Sequence, residues 1–124
     1  MRIFKVKWFQ RFARRERLAD AALVDAVKRA ERGLVDADLG GHLIKQRVAR
    51  AGQGRSGGYR TIVAIRAGDR AFYLFGFAKS DQDNLAPNDE ENYKAAARRL
   101  LALSEKVLTE LVEAGALTEI DPDA

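Results

Sequence analysis

The chain has 124 residues, 47% of them apolar and 32% charged, with two prolines; this matches one folded domain with a real core and excludes wholesale disorder. There is no cysteine and a single histidine, His42, which excludes a disulfide framework, a thiolate metal site and a histidine cluster, and no apolar run reaches bilayer length or forms the centre of a secretory signal. The net charge of +4 is unevenly spread: residues 1–66 hold sixteen Lys/Arg against six Asp/Glu, and residues 67–124 hold six against twelve. A polyanion would be drawn to the first half, although a solvated surface of mixed charge accounts for the same count. The expectation is a soluble, cytoplasmic protein that uses no metal or other cofactor.

In chain order, Met1–Val6 reads as a short strand with β-branched and aromatic residues in partial alternation. Trp8, Phe9 and Phe12 then share one face of a short amphipathic helix, with Gln10, Arg11, Arg14 and Arg15 elsewhere, a spacing that anchors a core more often than a membrane surface. Asp20 is the expected N-cap of a second helix whose inward stripe is Leu23, Ala26, Val27 and Ala30, ending near Gly33, with Lys28, Arg29 and Arg32 on or beside its exposed side. After Gly40-Gly41, Leu43–Val48 reads as a strand with Ile44 and Val48 on one face and Lys45 and Arg47 on the other. His42 sits at its start, where a lone histidine is more often solvated or hydrogen-bonded than catalytic.

Tyr59–Arg66 and Arg70–Ala78 are the clearest strands, and Ala67-Gly68-Asp69 makes them a hairpin. With Gly68-Asp69 as a two-residue turn, Arg60 faces Phe77, and Arg60, Phe77 and Lys79 gather at one end. With a three-residue turn, Arg60 faces Gly76 and Lys79 falls on the opposite face. Asn88 followed by Glu91 resembles a capping box and opens a long helix whose stripe is Tyr93, Ala97, Leu100, Val107 and Leu111. Ser104 would cap a separate final helix if the pattern breaks near Leu103, and Gly115 is the expected stop. The organisation expected is one domain over residues 1–120 with a mobile acidic tail over 121–124.

The run Gly52-Gln53-Gly54-Arg55-Ser56-Gly57 satisfies the G-x-G-x-x-G pattern of dinucleotide-binding turns. That chemistry requires a helix after the glycines, so that the pyrophosphate sits on its N-terminus; here β-branched Thr61, Ile62, Val63 and Ile65 announce a strand. No G-x-x-x-x-G-K-[ST] run is present to support nucleotide hydrolysis by a Walker-type loop. Two readings of the segment are left: a sharply turning strand connection, or a mobile basic loop that closes on a polynucleotide backbone.

Ser56-Gly57-Gly58-Tyr59-Arg60-Thr61-Ile62 followed by Phe72-Tyr73-Leu74-Phe75-Gly76-Phe77-Ala78-Lys79 resembles the RelE/ParE superfamily of bacterial toxins, in particular the RelE/HigB-like branch with a long C-terminal extension. The preceding Gly52–Arg55 and the later Leu100–Ser104 and Glu113–Gly115 fit that branch, so the resemblance spans nearly the whole chain. It implies an α+β fold: a small, largely antiparallel sheet with N-terminal helices packed on it and a long C-terminal helix or helix pair. It also implies a ribosome-dependent endoribonuclease that cuts messenger RNA by attack of a ribose 2′-hydroxyl on the adjacent phosphate, without metal, held inactive by an antitoxin, expected to be a helix-turn-helix protein. The reaction needs a general base, a general acid and stabilisation of the charged phosphorane.

Carried over residue by residue, the resemblance makes Arg60 the ligand of the scissile phosphate, since it occupies the arginine of the Gly-Tyr-Arg strand. Lys45 and Lys79 are further catalytic candidates for phosphate contact or proton transfer. Arg47, Arg55 and Arg66 are candidates to hold the RNA backbone, with strand-end solvation as the bland reading of Arg66. Tyr59 and Phe77 either stack on bases or pack in the core. After the hairpin the sequence departs from the better-known pattern: Lys79 is followed by Ser80-Asp81-Gln82-Asp83-Asn84, with no second arginine and no tyrosine, which leaves the general base and acid unassigned. Two competing functions follow, a noncatalytic relative that binds RNA, the ribosome or DNA through the same face, and, ranked below it, a DNA-gyrase poison of the ParE type.

Overall fold

The computed structural model describes residues 1–49, 58–78 and 85–124. In chain order the elements are β1 (Arg2–Val6), α1 (Lys7–Glu16), α2 (Asp20–Glu31), β2 (Ala37–Gly40), β3 (Leu43–Val48), β4 (Tyr59–Arg66), β5 (Arg70–Ala78), α3 (Pro87–Leu101), α4 (Glu105–Glu113) and β6 (Leu117–Ile120). The six strands form one sheet in the order β2-β3-β4-β5-β1-β6, antiparallel throughout except where β1 runs parallel to β5. The edge strands β2 and β6 are four residues each, too short for their periodicity to stand out in the sequence.

Alternating residues divide the sheet between two cores. Helices α1 and α2 cover one face, where Phe9, Phe12, Leu23, Val27, Val48, Val63 and Tyr73 pack together. Helices α3 and α4 cover the other, over Phe4, Leu43, Ile62, Phe72, Ala97, Leu101 and Leu108. The result is the expected α+β domain, with the C-terminal helix pair as a third layer.

Both turn hypotheses contribute to the hairpin. Arg66 faces Arg70, so the turn holds three residues, with Gly68 at φ 76° and the Asp69 N–H donating to the Arg66 carbonyl at 3.0 Å. The ladder then shifts by one between Ile62 and Val63, where Leu74 is the extra residue on β5, and Arg60 arrives opposite Phe77 after all. The bulge cancels the turn's offset. Two residues on, Gly76 is set by packing: a Cβ there would lie 2.6 Å from Cε2 of Phe12, so α1 sits directly against the bare backbone.

Several helix ends differ from the expectation. Asp20 is the first residue of α2 rather than its cap, Ala19 holding that position, and the Asp20 carboxylate accepts instead from buried Lys5 Nζ at 3.0 Å. Arg29 is buried, not solvated, because its guanidinium ties α2 to the sheet, donating to the Arg47 carbonyl at 2.7 Å and to Asp25 at 3.1 Å. Pro87, with its fixed φ, starts α3 ahead of Asn88, which therefore lies inside the first turn and caps nothing. Ser104 does cap α4, its Oγ accepting from the Val107 N–H at 3.2 Å, and Gly115 at φ 79° ends it.

Candidate functional site

The β3–β4–β5 ladder aligns three side chains across the sheet. Arg47 on β3 pairs with Arg60 on β4, which pairs with Phe77 on β5, and all three project from the face that carries α3. One step along the strands, Lys45, Ile62 and Phe75 form a second row on the same face. Like charges directly opposite each other weaken a sheet, so two arginines facing across the ladder are an arrangement that an anion between them would relieve. The Arg47 guanidinium lies 4.0 Å from the Asp36 carboxylate, whose other oxygen accepts from the Arg47 main-chain N–H at 2.6 Å. The Arg60 side chain makes no ion pair or hydrogen bond among the described residues, and it is half-buried. A half-buried, unneutralised guanidinium beside a second one is suited to a phosphodiester, which accepts its forked donors.

Lys45 lies one row inward, in a cavity of about 310 Å³ that is also lined by Leu39, Ile62, Leu85 and Glu90. Glu90, from the first turn of α3, pairs with Lys94 at 3.3 Å, so a carboxylate and an amine open on one space beside the arginine row. Sequence reasoning missed Glu90. Its position three residues before Tyr93, on the helix side that meets the sheet, is the signal that was available. Tyr93 stacks on Phe75 with ring centroids 5.6 Å apart, and Phe75 packs on Trp8 at 4.7 Å and Phe77 at 6.0 Å, giving the site an aromatic flank. Burial raises the Tyr93 phenol above the usual range, and Asp89 adds to the effect.

The other expected site residues divide. Tyr59 is buried on the opposite face, edge-on to Phe12, with its hydroxyl donating to Glu16 at 2.6 Å, so it serves the core and is not available to a base. Phe77 shares the Arg60 row but is 4% exposed, which makes it the floor beside the arginine rather than an open stacking surface. Arg66 is exposed at the far end of β4, paired with Asp69, whose carboxyl it holds below the usual range. His42 is in the β2–β3 turn at φ 63°, also at that far end, where the Ile65 N–H donates to its carbonyl at 2.9 Å. Lys79, Arg55, the run Gly52–Gly57 and Ser80–Asn84 lie outside the described residues.

A model of the RelE toxin of the RelE/RelB toxin–antitoxin system matches residues 1–120. The chain belongs to the RelE toxin family. No curated protein matches it significantly. Membership makes this RelE-family chain the toxin of a toxin–antitoxin pair, with an antitoxin as its partner. The match runs from β1 through β6, so the C-terminal helix pair and the last strand of this RelE toxin are part of the family domain. No helix among the described residues is long and apolar enough to cross a membrane. Those residues also hold no cluster of His, Asp or Glu spaced to bind a metal ion.

Proposed function

We propose that this toxin is a ribosome-dependent endoribonuclease acting on messenger RNA in the cytoplasm, with the scissile phosphate held at the Arg47–Arg60 row. The observation that carries the reading is the unneutralised Arg60 guanidinium directly across the ladder from Arg47. In this chemistry a base removes the 2′-hydroxyl proton, the 2′-oxygen attacks phosphorus, and the P–O5′ bond breaks as an acid protonates the departing 5′-oxygen. The products are a 2′,3′-cyclic phosphate and a 5′-hydroxyl. Arg60 supports the dianionic phosphorane, which carries more charge than the ground-state diester and gains more from a fixed cation. Lys45 and Glu90, opening on the adjacent cavity, are the proton-transfer candidates on this side of the sheet, and Lys79 is a further one from sequence. Arg47 and Arg55 hold the flanking backbone, and the antitoxin is a helix-turn-helix protein that covers this face.

The test is expression of the wild-type and Arg60→Gln chains at equal abundance, with primer extension on translated messages. Growth arrest and new 5′-hydroxyl ends that require both Arg60 and translation support the reading. Equal toxicity of the two chains removes Arg60 from it. The second reading, a noncatalytic relative that binds RNA through the same face, is motivated by Ser80–Asn84, which supplies neither the arginine nor the tyrosine of the better-known pattern. It predicts Arg60-dependent RNA binding with no cut ends.

A further inference from the structure

At the end of the sheet away from Arg60, a second cavity of about 310 Å³ opens between α3 and the β2–β3 turn. Four basic side chains line it, His42, Arg66, Lys94 and Arg98, over an apolar floor of Leu101 and Ala102. Lys94 and Arg66 have carboxylate partners in Glu90 and Asp69. The side chains of His42 and Arg98 have none among the described residues. The turn is shaped around Lys94: Gly40 and Gly41 take φ 84° and 60°, and a Cβ at Gly41 would touch the Lys94 stem at 3.6 Å. His42 itself holds φ 63°, a conformation that non-glycine side chains rarely adopt and that tertiary contacts must enforce. Lys94 also bonds Glu90 beside the Lys45 cavity, so the two cavities meet along one groove between α3 and the β2–β3 hairpin.

We propose that this second cavity is a phosphate subsite for the same RNA strand, several nucleotides from the one bound at Arg60. The proposal rests on the RNA reading of the Arg60 row. Arg66 lies six residues along β4 from Arg60, about 20 Å at roughly 3.3 Å per residue. A stacked strand advances about 3.4 Å per nucleotide, so about six nucleotides join the two ends and a more extended strand needs fewer. Arg98 and His42 supply donors with no competing carboxylate, and the Leu101–Ala102 floor takes the face of a ribose or base. A polynucleotide suits the groove better than an acidic peptide does, because the second cavity repeats the charge of the first at a separation that one continuous phosphate backbone spans.

The test is fluorescence anisotropy of the full chain with fully 2′-O-methylated RNA, which cannot be cleaved, as a trinucleotide and as a nonanucleotide over a salt series. The nonanucleotide is expected to bind more tightly and to show a steeper dependence on log salt than the trinucleotide. A double variant, His42→Asn and Arg98→Gln, should lower that slope by about 1.4, which is about 0.7 for each lost phosphate contact on a single strand, and should leave trinucleotide binding unchanged. Asparagine tolerates the positive φ of position 42, and both side chains are exposed, so the variant folds; unchanged thermal unfolding checks this. If the double variant binds the nonanucleotide as the parent does, the subsite is wrong. It is also wrong if Arg98-dependent binding is found for a hexaglutamate peptide and not for the nonanucleotide. Arg60→Gln separates the two claims: loss of trinucleotide binding keeps the Arg60 site standing whatever becomes of the subsite, and its retention overturns that site itself.

Discussion

Arg60 stands directly across the sheet from Arg47, with Phe77 on its other flank, at the last turn of the ladder before Gly58. A sheet that places two guanidinium groups in one cross-strand pair gives up stability for charge. Arg60→Gln should therefore raise stability slightly, by about 0.2–1 kcal/mol, through loss of the like-charge pair. Over the same change, cleavage should fall about 10²-fold or more, the scale seen when one donor to a developing oxyanion is removed. Thermal unfolding and a cleavage assay on one preparation measure both. A loss of activity with an equal loss of stability would instead make Arg60 a structural residue.

Gly76 lies under the ring of Phe12, next to the Arg60–Phe77 pair. Gly76→Ala should destabilise by about 1–3 kcal/mol, the range for overpacking a well-filled core. Phe12→Leu combined with it should recover part of that loss, since a smaller side chain vacates the space the new methyl needs. Denaturant midpoints of the two single variants and the double variant give the coupling, and strict additivity would mean that the 2.6 Å approach is relieved by backbone movement instead.

Gln46 is fully buried on the face opposite Arg47 and closes three main-chain groups: its amide donates to the carbonyls of Ala26 and Leu34, each at 3.0 Å, and its carbonyl accepts from the Asp36 N–H at 3.0 Å. Gln46→Leu keeps the volume and strands those groups, at about 2–4 kcal/mol. Because Asp36 also bonds Arg47, the same change should disturb the arginine row, and weakened nonanucleotide binding at full occupancy of the folded state would report it.

Two hydrogen bonds of 2.8 Å join Arg2 to both carboxylate oxygens of Glu119, clipping β6 to β1, and they hold the Glu119 carboxyl below its usual range. A folded-state pKa below the unfolded one gives stabilisation that is complete above the ordinary value near 4.5 and lost as pH falls through the depressed one. Glu119→Gln should thus lower stability at neutral pH by at most about 1 kcal/mol, the pair being partly exposed, and the difference from the parent should vanish in acid. Denaturant midpoints at neutral and strongly acidic pH measure it, and a difference that persists in acid would locate the effect in packing of β6.

The sequence by itself determined the strands β1, β3, β4 and β5, the helices, and the break at Ser104, because each has a local cause: alternation, a helical stripe, or a cap. It also put Lys45, Arg47 and Arg60 among the candidate residues, since alternation fixes which residues share a face. Register was not legible. Turn length and bulge position are decided together by packing on both faces of β5, and only their combination returned Arg60 to Phe77. Burial of Tyr59 and Arg29 likewise depended on which helix each would meet. The arrival of Glu90 beside Lys45, and of Arg98 beside His42, depended on where α3 crosses the sheet. Residues sixty or more positions apart carry no local signal of their meeting; long-range packing alone brings them together.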